Sequence, residues 1–292
     1  MFVLEHLQEL LSTLLQIMNN ISVAILLSTY NGAKYIKYQI ESILNQDYKS
    51  WDLYIRDDGS TDNTIQIIKR YEKCHKNIHL VKDSNPHRGV RDSFLYLLSI
   101  INSEYYMFCD QDDVWLPSKI SRCIEEMSKK IKSPSKPILI CCDLEVVDCN
   151  LNQIYPSLWR KYNIIKLVQR ANKSLIIAPL FQGCTMFFNK SARDTALNII
   201  PHDSVIHDNH LTMSVVSAGG EIIPIFMPLI KYRQHSANVE GALIGSHIKV
   251  TKLLRLKEVI HRSVSQYKIS NYYFHTTIFE YLRNKILYLI HN

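Results

Sequence analysis

An α/β fold with a mostly parallel central sheet and helices on both faces follows from three observations on this 292-residue sequence. Short apolar runs alternate with helix-period stretches four times in about 100 residues, a pattern that calls for parallel strands joined by helical crossovers. Each apolar run is closed by a polar cluster with turn residues. The composition is that of a folded chain, 47% hydrophobic and 21% charged, which excludes a disordered protein.

The elements read in order as follows. Val23–Ser28 is an apolar run followed by Tyr30-Asn31-Gly32, a buried strand ending in a turn. Tyr35, Ile36, Ile40, Ile43 and Leu44 recur at helical spacing, giving a helix over Tyr35–Asn45. Trp51–Arg56 is a second strand, and Ser60 or Thr61 is expected to cap a helix over Asp62–Tyr71. Ile78–Lys82, Arg91–Ile101 and Tyr105–Cys109 continue the alternation as strand, helix and strand. After Pro117 come a helix over Lys119–Lys130, a Pro/Ser/Lys loop over Lys132–Pro137 and a strand over Ile138–Cys142. Phe181–Asn189 and Glu221–Met227 read as strands around a helix over Ser204–Ser217, and Lys249–His261 and Asn271–Ile290 as amphipathic helices.

Three segments are expected: an N-terminal helical extension over 1–20, a catalytic domain over 21–246 and a basic helical tail over 247–292. The extension contains glutamates and no basic leader, so it does not read as a signal peptide, and Met18 offers an alternative start to Met1. The tail holds eight lysines and arginines against two glutamates, a net +6 out of +7 for the chain. A near-neutral body argues against nucleic-acid binding. Seven cysteines without a CxxC pair suit reduced thiols better than a disulfide framework or a zinc site. No stretch of 18 apolar residues occurs that would span a bilayer.

Three acidic elements are candidates for chemistry. Asp110-Gln111-Asp112-Asp113 follows a buried strand directly, where carboxylates two apart can converge on a hard divalent cation, with a diphosphate supplying further oxygens. Taken alone it reads equally well as a solvated acidic turn, and Asp113 equally as a helix cap. Asp57-Asp58-Gly59-Ser60-Thr61-Asp62 exceeds what a turn and cap require; a carboxylate there can accept from a pyrimidine N–H while Tyr30 stacks on the base. His207-Asp208 at a helix start is either a cap or a carboxylate placed to take a proton from an acceptor hydroxyl. Arg233 and His235 suit phosphate oxygens, and His235 also a metal.

The order of the pieces resembles family-2 glycosyltransferases of the GT-A fold, in particular their bacterial rhamnosyltransferase-like branch. The motifs are Ser28-Thr29-Tyr30-Asn31-Gly32, Ser42-Ile43-Leu44-Asn45-Gln46, Asp57 to Asp62, Asp110 to Trp115, Gly183-Cys184-Thr185-Met186, His207-Asp208 and Tyr232-Arg233-Gln234-His235. They run from about Ile21 to Gly241, most of the chain. The resemblance implies that Ser28, Tyr30 and Asp58 line the nucleoside pocket, with Asp110 and Arg233 also on the nucleotide sugar. It implies Asp110, Asp112 and His235 as ligands of Mg²⁺ or Mn²⁺, Asp208 as general base, and Gln182, Gly183 and Cys184 under the acceptor. It further implies inverting transfer from a dTDP- or UDP-sugar, dTDP-L-rhamnose first, to a glycan or lipid-linked acceptor of an O-antigen or capsule. A cytoplasmic enzyme is expected, its tail either lying on the inner face of the membrane or packing on the protein. His210 stands where relatives carry an aromatic residue, which is expected to reshape the acceptor pocket.

Three rivals fit less well. A sugar-nucleotide pyrophosphorylase would open with a Gly-rich phosphate loop, and the chain has only eight glycines; a dinucleotide oxidoreductase would show GxGxxG after a strand. A non-catalytic scaffold retaining the fold would be favoured by loss of Asp110, Asp112 or Asp208, and all three are present.

Overall fold

The computed structural model describes residues 21–130, 136–175, 178–235 and 252–291, with side chains in the last segment described for 263–286. The expected N-terminal helix, Met18 and most of the Pro/Ser/Lys loop lie outside the described residues.

Strand β1 (Val23–Thr29) is followed by helix α1 (Ile36–Leu44), then β2 (Trp51–Asp57), α2 (Thr64–Cys74), β3 (Ile78–Leu80), α3 (Gly89–Ile100) and β4 (Tyr105–Cys109). The apolar runs form buried strands because both faces are covered: Val23 to Leu27 and Tyr106 to Cys109 are inaccessible, with Ile36, Ile40 and Ile43 of α1 and Phe94, Leu97 and Leu98 of α3 packed into the same core. β1 pairs in parallel with β2 and β4, and β2 with β3, which gives the order β3-β2-β1-β4. The direction of winding reverses at β1, so the loops after β1, β2 and β4 meet at one edge, where open α/β sheets bind ligands.

The second half of the sheet alternates. β5 (Val114–Trp115), α4 (Lys119–Ser128), β6 (Ile138–Val147) and β7 (Gln153–Tyr155) precede three single-turn helices (Leu158–Lys161, Ile165–Val168, Ala171–Ser174). β8 (Met186–Asn189), α5 (Lys190–Asn198), α6 (His207–Ser217), β9 (Glu221–Arg233), α7 (Lys252–Phe274) and α8 (Ile278–His291) complete the described elements. β8 runs antiparallel between β4 and β6, and β9 pairs with β6 in parallel and with β5 in antiparallel. The parallel half is the one read from the sequence; β8 inserts antiparallel between β4 and β6, and a 3₁₀ turn at Gly183–Thr185 shortens the expected strand at its start.

Two local expectations are corrected. Neither Ser60 nor Thr61 caps α2: the helix starts after Asn63, and Asp62 accepts from the Thr64 N–H and hydroxyl. Ser60 and Thr61 instead bond the β1 loop, Ser60 Oγ accepting from Asn31 N at 2.8 Å and Thr61 N donating to Asn31 Oδ1 at 2.8 Å. Asp113 caps no helix; its Oδ1 accepts from Arg233 N at 3.1 Å.

Candidate active site

The loop after β1 is tied to the Asp110–Asp113 segment through one side chain. Gln111 Oε1 accepts from Tyr30 N at 3.0 Å and from the Thr29 hydroxyl at 2.5 Å, and its amide donates to Tyr30 O at 3.2 Å. Gly32 permits this, since a Cβ there would lie 2.3 Å from Gln111 Oε1. Ser28 sits partly exposed near the end of β1, opposite Arg56 in the register, and Tyr30 is exposed beyond it with its ring edge-on to His87.

Asp58 is held more tightly than a free recognition carboxylate. Oδ1 accepts from Arg56 Nη1 at 2.7 Å and Arg88 N at 2.8 Å, and Oδ2 from Gly89 N at 2.9 Å. Burial opposes its charge, but Arg56 and the two backbone N–H groups prevail and keep its carboxyl below the usual range. Arg56 is fully buried and also bonds Asp83, which Arg88 clamps from the other side. Next to it, Asp57 accepts from Gly59 N and Ser60 N through Oδ2, while its Oδ1 is buried with no hydrogen-bond partner among the described residues. The local signal that distinguishes these two carboxylates is Arg56, two residues before Asp58, whose guanidinium pairs with Asp58.

At the mouth of β4 three carboxylates crowd together. Oxygens of Asp110 and Asp113 and the Cys184 thiol all lie within 4.8 Å of one another. Asp112 meets His235, Nε2 to Oδ2 at 2.8 Å, and the His235 ring stacks on Tyr35 with centroids 4.6 Å apart. Arg233 fixes this corner from behind, donating through Nε to Asp112 O at 2.8 Å and through Nη1 to Cys149 O at 2.7 Å. Burial, and then Asp112, pushes Asp110 up to about 7; burial, then Asp112 and Asp110, pushes Asp113 well above the usual range; burial raises Asp112 against the pull of His235. The structure thus brings together Asp112 and His235, two of the residues the resemblance implies as metal ligands, and places Asp113 and Cys184 beside Asp110, which neither the residues nor the resemblance implied.

These groups suit a divalent cation. Asp113 Oδ2 is buried facing no N–H or O–H donor among the described residues, and the mutual repulsion of three carboxylates is what a dication relieves. Asp110, Asp112 and His235 offer hard oxygen and imidazole donors; the Cys184 thiol, whose pKa burial pushes well up, is a poor ligand for Mg²⁺.

Asp208 lies in the first turn of α6, buried, with Oδ2 accepting from Gly183 N at 3.1 Å and Oδ1 from Asn209 N at 2.5 Å. Gly183 must be glycine, because a Cβ would stand 2.7 Å from His207 Nε2. Gln182 anchors the turn by accepting from Thr185 N and Oγ1 through its carbonyl, while its side-chain Oε1 is buried with no partner among the described residues. The pair Gly183-Cys184 therefore joins two groups far apart in sequence: its N–H touches Asp208 and its thiol touches Asp110 and Asp113. His210, expected to reshape the acceptor pocket, engages both ring nitrogens elsewhere in the fold, Nδ1 2.7 Å from the Tyr273 hydroxyl of α7 and Nε2 2.9 Å from Ala196 O of α5.

His207, stacked on Phe94 at 4.0 Å and edge-on to Phe108, has neither ring nitrogen hydrogen-bonded among the described residues. Burial drives its pKa down to about 3. Its folded-state value lies below the unfolded one of about 6.5, so its contribution is complete above that pH and is lost as pH falls towards about 3, by up to about 1.4 kcal/mol per pH unit. Urea unfolding of His207→Phe and parent at pH 7 and pH 4.5 should show the parent losing about 2.5 kcal/mol more than the variant. Equal losses would refute the buried neutral imidazole.

Comparison with known proteins bears on the fold and the family. The model described as Glycosyl transferase family 2 matches residues 24–195. The dTDP-rhamnosyl transferase RfbG of Shigella flexneri is 26% identical over 237 residues, covering 78% of each chain. Among solved structures, S. aureus TarS 1-349 in complex with UDP-GlcNAc superposes with a TM-score of 0.58 at 16% identity, over 88% of this chain and 74% of that one. In another crystal structure of that fragment the match takes in 60% of it. The mannosyltransferase PcManGT from Pyrobaculum calidifontis, in complex with GDP-Man and Mn2+, gives 0.57 at 18% identity, over 92% and 74%. With the profile matching more than half of the sequence and the sheet carrying its acidic loops on one edge, the chain belongs to glycosyl transferase family 2 and is a glycosyltransferase.

Proposed function

We propose that this chain is an inverting, divalent-metal-dependent transferase that moves L-rhamnose from dTDP-rhamnose onto a lipid-linked or polysaccharide acceptor in O-antigen or capsule synthesis. The observation that carries the reading is the Gly183-Cys184 turn, which contacts Asp208 through its N–H and lies against Asp110 and Asp113 through its thiol. A base for the acceptor and an acidic seat for the donor diphosphate on two sides of one turn is the arrangement a single displacement needs. The similarity to RfbG, over 78% of each chain, favours rhamnose.

Ser28, Tyr30 and Asp58 take the nucleoside, with Tyr30 stacking on the base and Asp58, oriented by Arg56, accepting from its N–H. Asp110, Asp112 and His235 hold the cation, and Arg233 keeps Asp112 in place behind it. When bound, Mg²⁺ or Mn²⁺ offsets the charge that develops on the departing diphosphate. Asp208 takes the proton of an acceptor hydroxyl lying over Gln182, Gly183 and Cys184. The freed oxygen attacks the anomeric carbon from the face opposite the diphosphate, the new C–O bond forms as the old one breaks, and the bond pair leaves with dTDP, inverting the centre.

Incubating purified protein with Mn²⁺ or Mg²⁺ and a panel of nucleotide sugars, and following donor hydrolysis and thermal shift, tests this. The expected result is a metal-dependent response selective for dTDP-rhamnose. Selectivity for a UDP-hexose would overturn the sugar, and silence towards every nucleotide sugar would overturn the enzymatic reading in favour of a scaffold.

A further inference from the structure

The C-terminal helices present an apolar stripe that the described protein does not cover. On α8, Ile278, Phe279, Leu282 and Ile286 are 48%, 82%, 47% and 55% exposed. Their spacings of three, four and seven put them on one side of the helix. One border of the stripe is packed on α7: Tyr281 is buried with its ring 5.7 Å from that of Tyr267, and Lys285 Nζ donates to Ser263 Oγ at 2.5 Å. Arg283, exposed, and Lys285 flank the stripe. α7 in turn is fastened to the helix that carries Asp208, through the Tyr273 hydroxyl on His210 and the packing of Ile269 and Tyr273 on Val205 and Met213.

We propose that α8 docks flat on an anionic lipid bilayer, with Phe279 the side chain that enters deepest. Charge chooses this occupant. Among the described side chains of 263–286, Lys268, Arg283 and Lys285 stand against Glu280 alone, and the sequence from 247 to 292 is basic as a whole, so a second copy would meet a segment of its own sign, whereas an anionic headgroup layer is its complement. An apolar stripe bordered by arginine and lysine, on a helix too polar to span, is the form of an interfacial helix; no helix among the described residues is long and apolar enough to cross a membrane. Because α7 joins α8 to α6, docking sets the height of Asp208 above the surface. This deepens the lipid-linked acceptor reading, and its test needs no sugar chemistry.

The full chain would be floated with phosphatidylcholine vesicles, with or without about 30% phosphatidylglycerol, at low and high salt. Binding to the anionic vesicles alone, weakened by salt, and about tenfold or more weaker in Phe279→Asp/Leu282→Asp, is expected. Donor hydrolysis without vesicles should match in parent and variant, both lying outside the site. Equal recovery with neutral and anionic vesicles, unchanged binding by the variant, or a dimer of the parent that the variant disperses would each overturn the proposal. Donor turnover without vesicle binding sinks the docking alone; vesicle binding without donor turnover sinks the transfer reading alone.

Discussion

Asp208→Asn should lower sugar transfer by about two to four orders of magnitude, the range over which a positioned general base contributes. Two effects compete in that variant. The amide cannot take the acceptor proton, which removes the base outright. Its NH₂ must also face either Gly183 N–H or Asn209 N–H, since each carboxylate oxygen accepts from one of them, and a donor set against a donor costs about 1–3 kcal/mol of local stability. The first effect appears in kcat with acceptor, the second in melting temperature and in the shape of the Gln182–Cys184 turn. Donor binding depends on the other side of the turn and should persist, read as a thermal shift with nucleotide sugar. A variant that keeps turnover within about threefold of the parent would remove Asp208 from the chemistry. A variant that loses donor binding in step with turnover would make it a structural carboxylate instead.

Much of the fold is legible because its strands are buried on both faces. Continuous apolar runs closed by turn residues locate β1 and β4, and the alternating run of β2 and the short β3 beside it are likewise placed to within two residues at each end. Reading fails where a polar residue or proline sits inside a strand for tertiary reasons. Asp143 looks like the end of β6, yet it is buried and accepts from Ser157 Oγ and Trp159 N, so the strand runs on to Val147. The strand expected over Glu221–Met227 runs through Pro224 but stops before Pro228, whereas β9 continues to Arg233: at both prolines it pairs with β6 on one side, while its other partner, β5, joins only at Ile230 and Lys231. The division of the tail was readable and missed: Thr277 and Glu280 form a capping box, Glu280 accepting from Thr277 N at 3.0 Å and Glu280 N donating to Thr277 Oγ1 at 3.3 Å. The site divides the same way. Carboxylates at the end of β4 and the start of α6 are local signals. The meeting of Asp112 with His235, 123 residues on, and of Cys184 with Asp110 and Asp113 depends on how β8 and β9 cross the sheet.

Asp112→Asn should abolish the metal response while leaving the metal-free fold no less stable. Burial raises the pKa of all three carboxyls, and Asp112 raises those of Asp110 and Asp113 further, which means that their charge works against the folded state when no cation is present. An asparagine removes one of the three charges and still offers an oxygen to His235 and the same backbone carbonyl to Arg233. Relief of repulsion and the retained hydrogen bond act in the same direction, so the metal-free melting temperature should hold or rise by a few degrees, about 2–4 °C per kcal/mol in a domain of this size. Cation affinity, by contrast, loses one of its two carboxylate donors. The Mn²⁺-induced thermal shift should vanish and turnover fall by at least about a hundredfold, the scale of several kcal/mol of charge stabilisation at the leaving diphosphate. Calorimetric titration of Mn²⁺ into both proteins separates the outcomes. Retained Mn²⁺ binding would show that the cation sits elsewhere. A clear drop in metal-free melting temperature would make Asp112 a structural partner of His235. The opposite signs of the two expected effects, stability held while activity collapses, are what distinguish a carboxylate kept for a ligand from one kept for the fold.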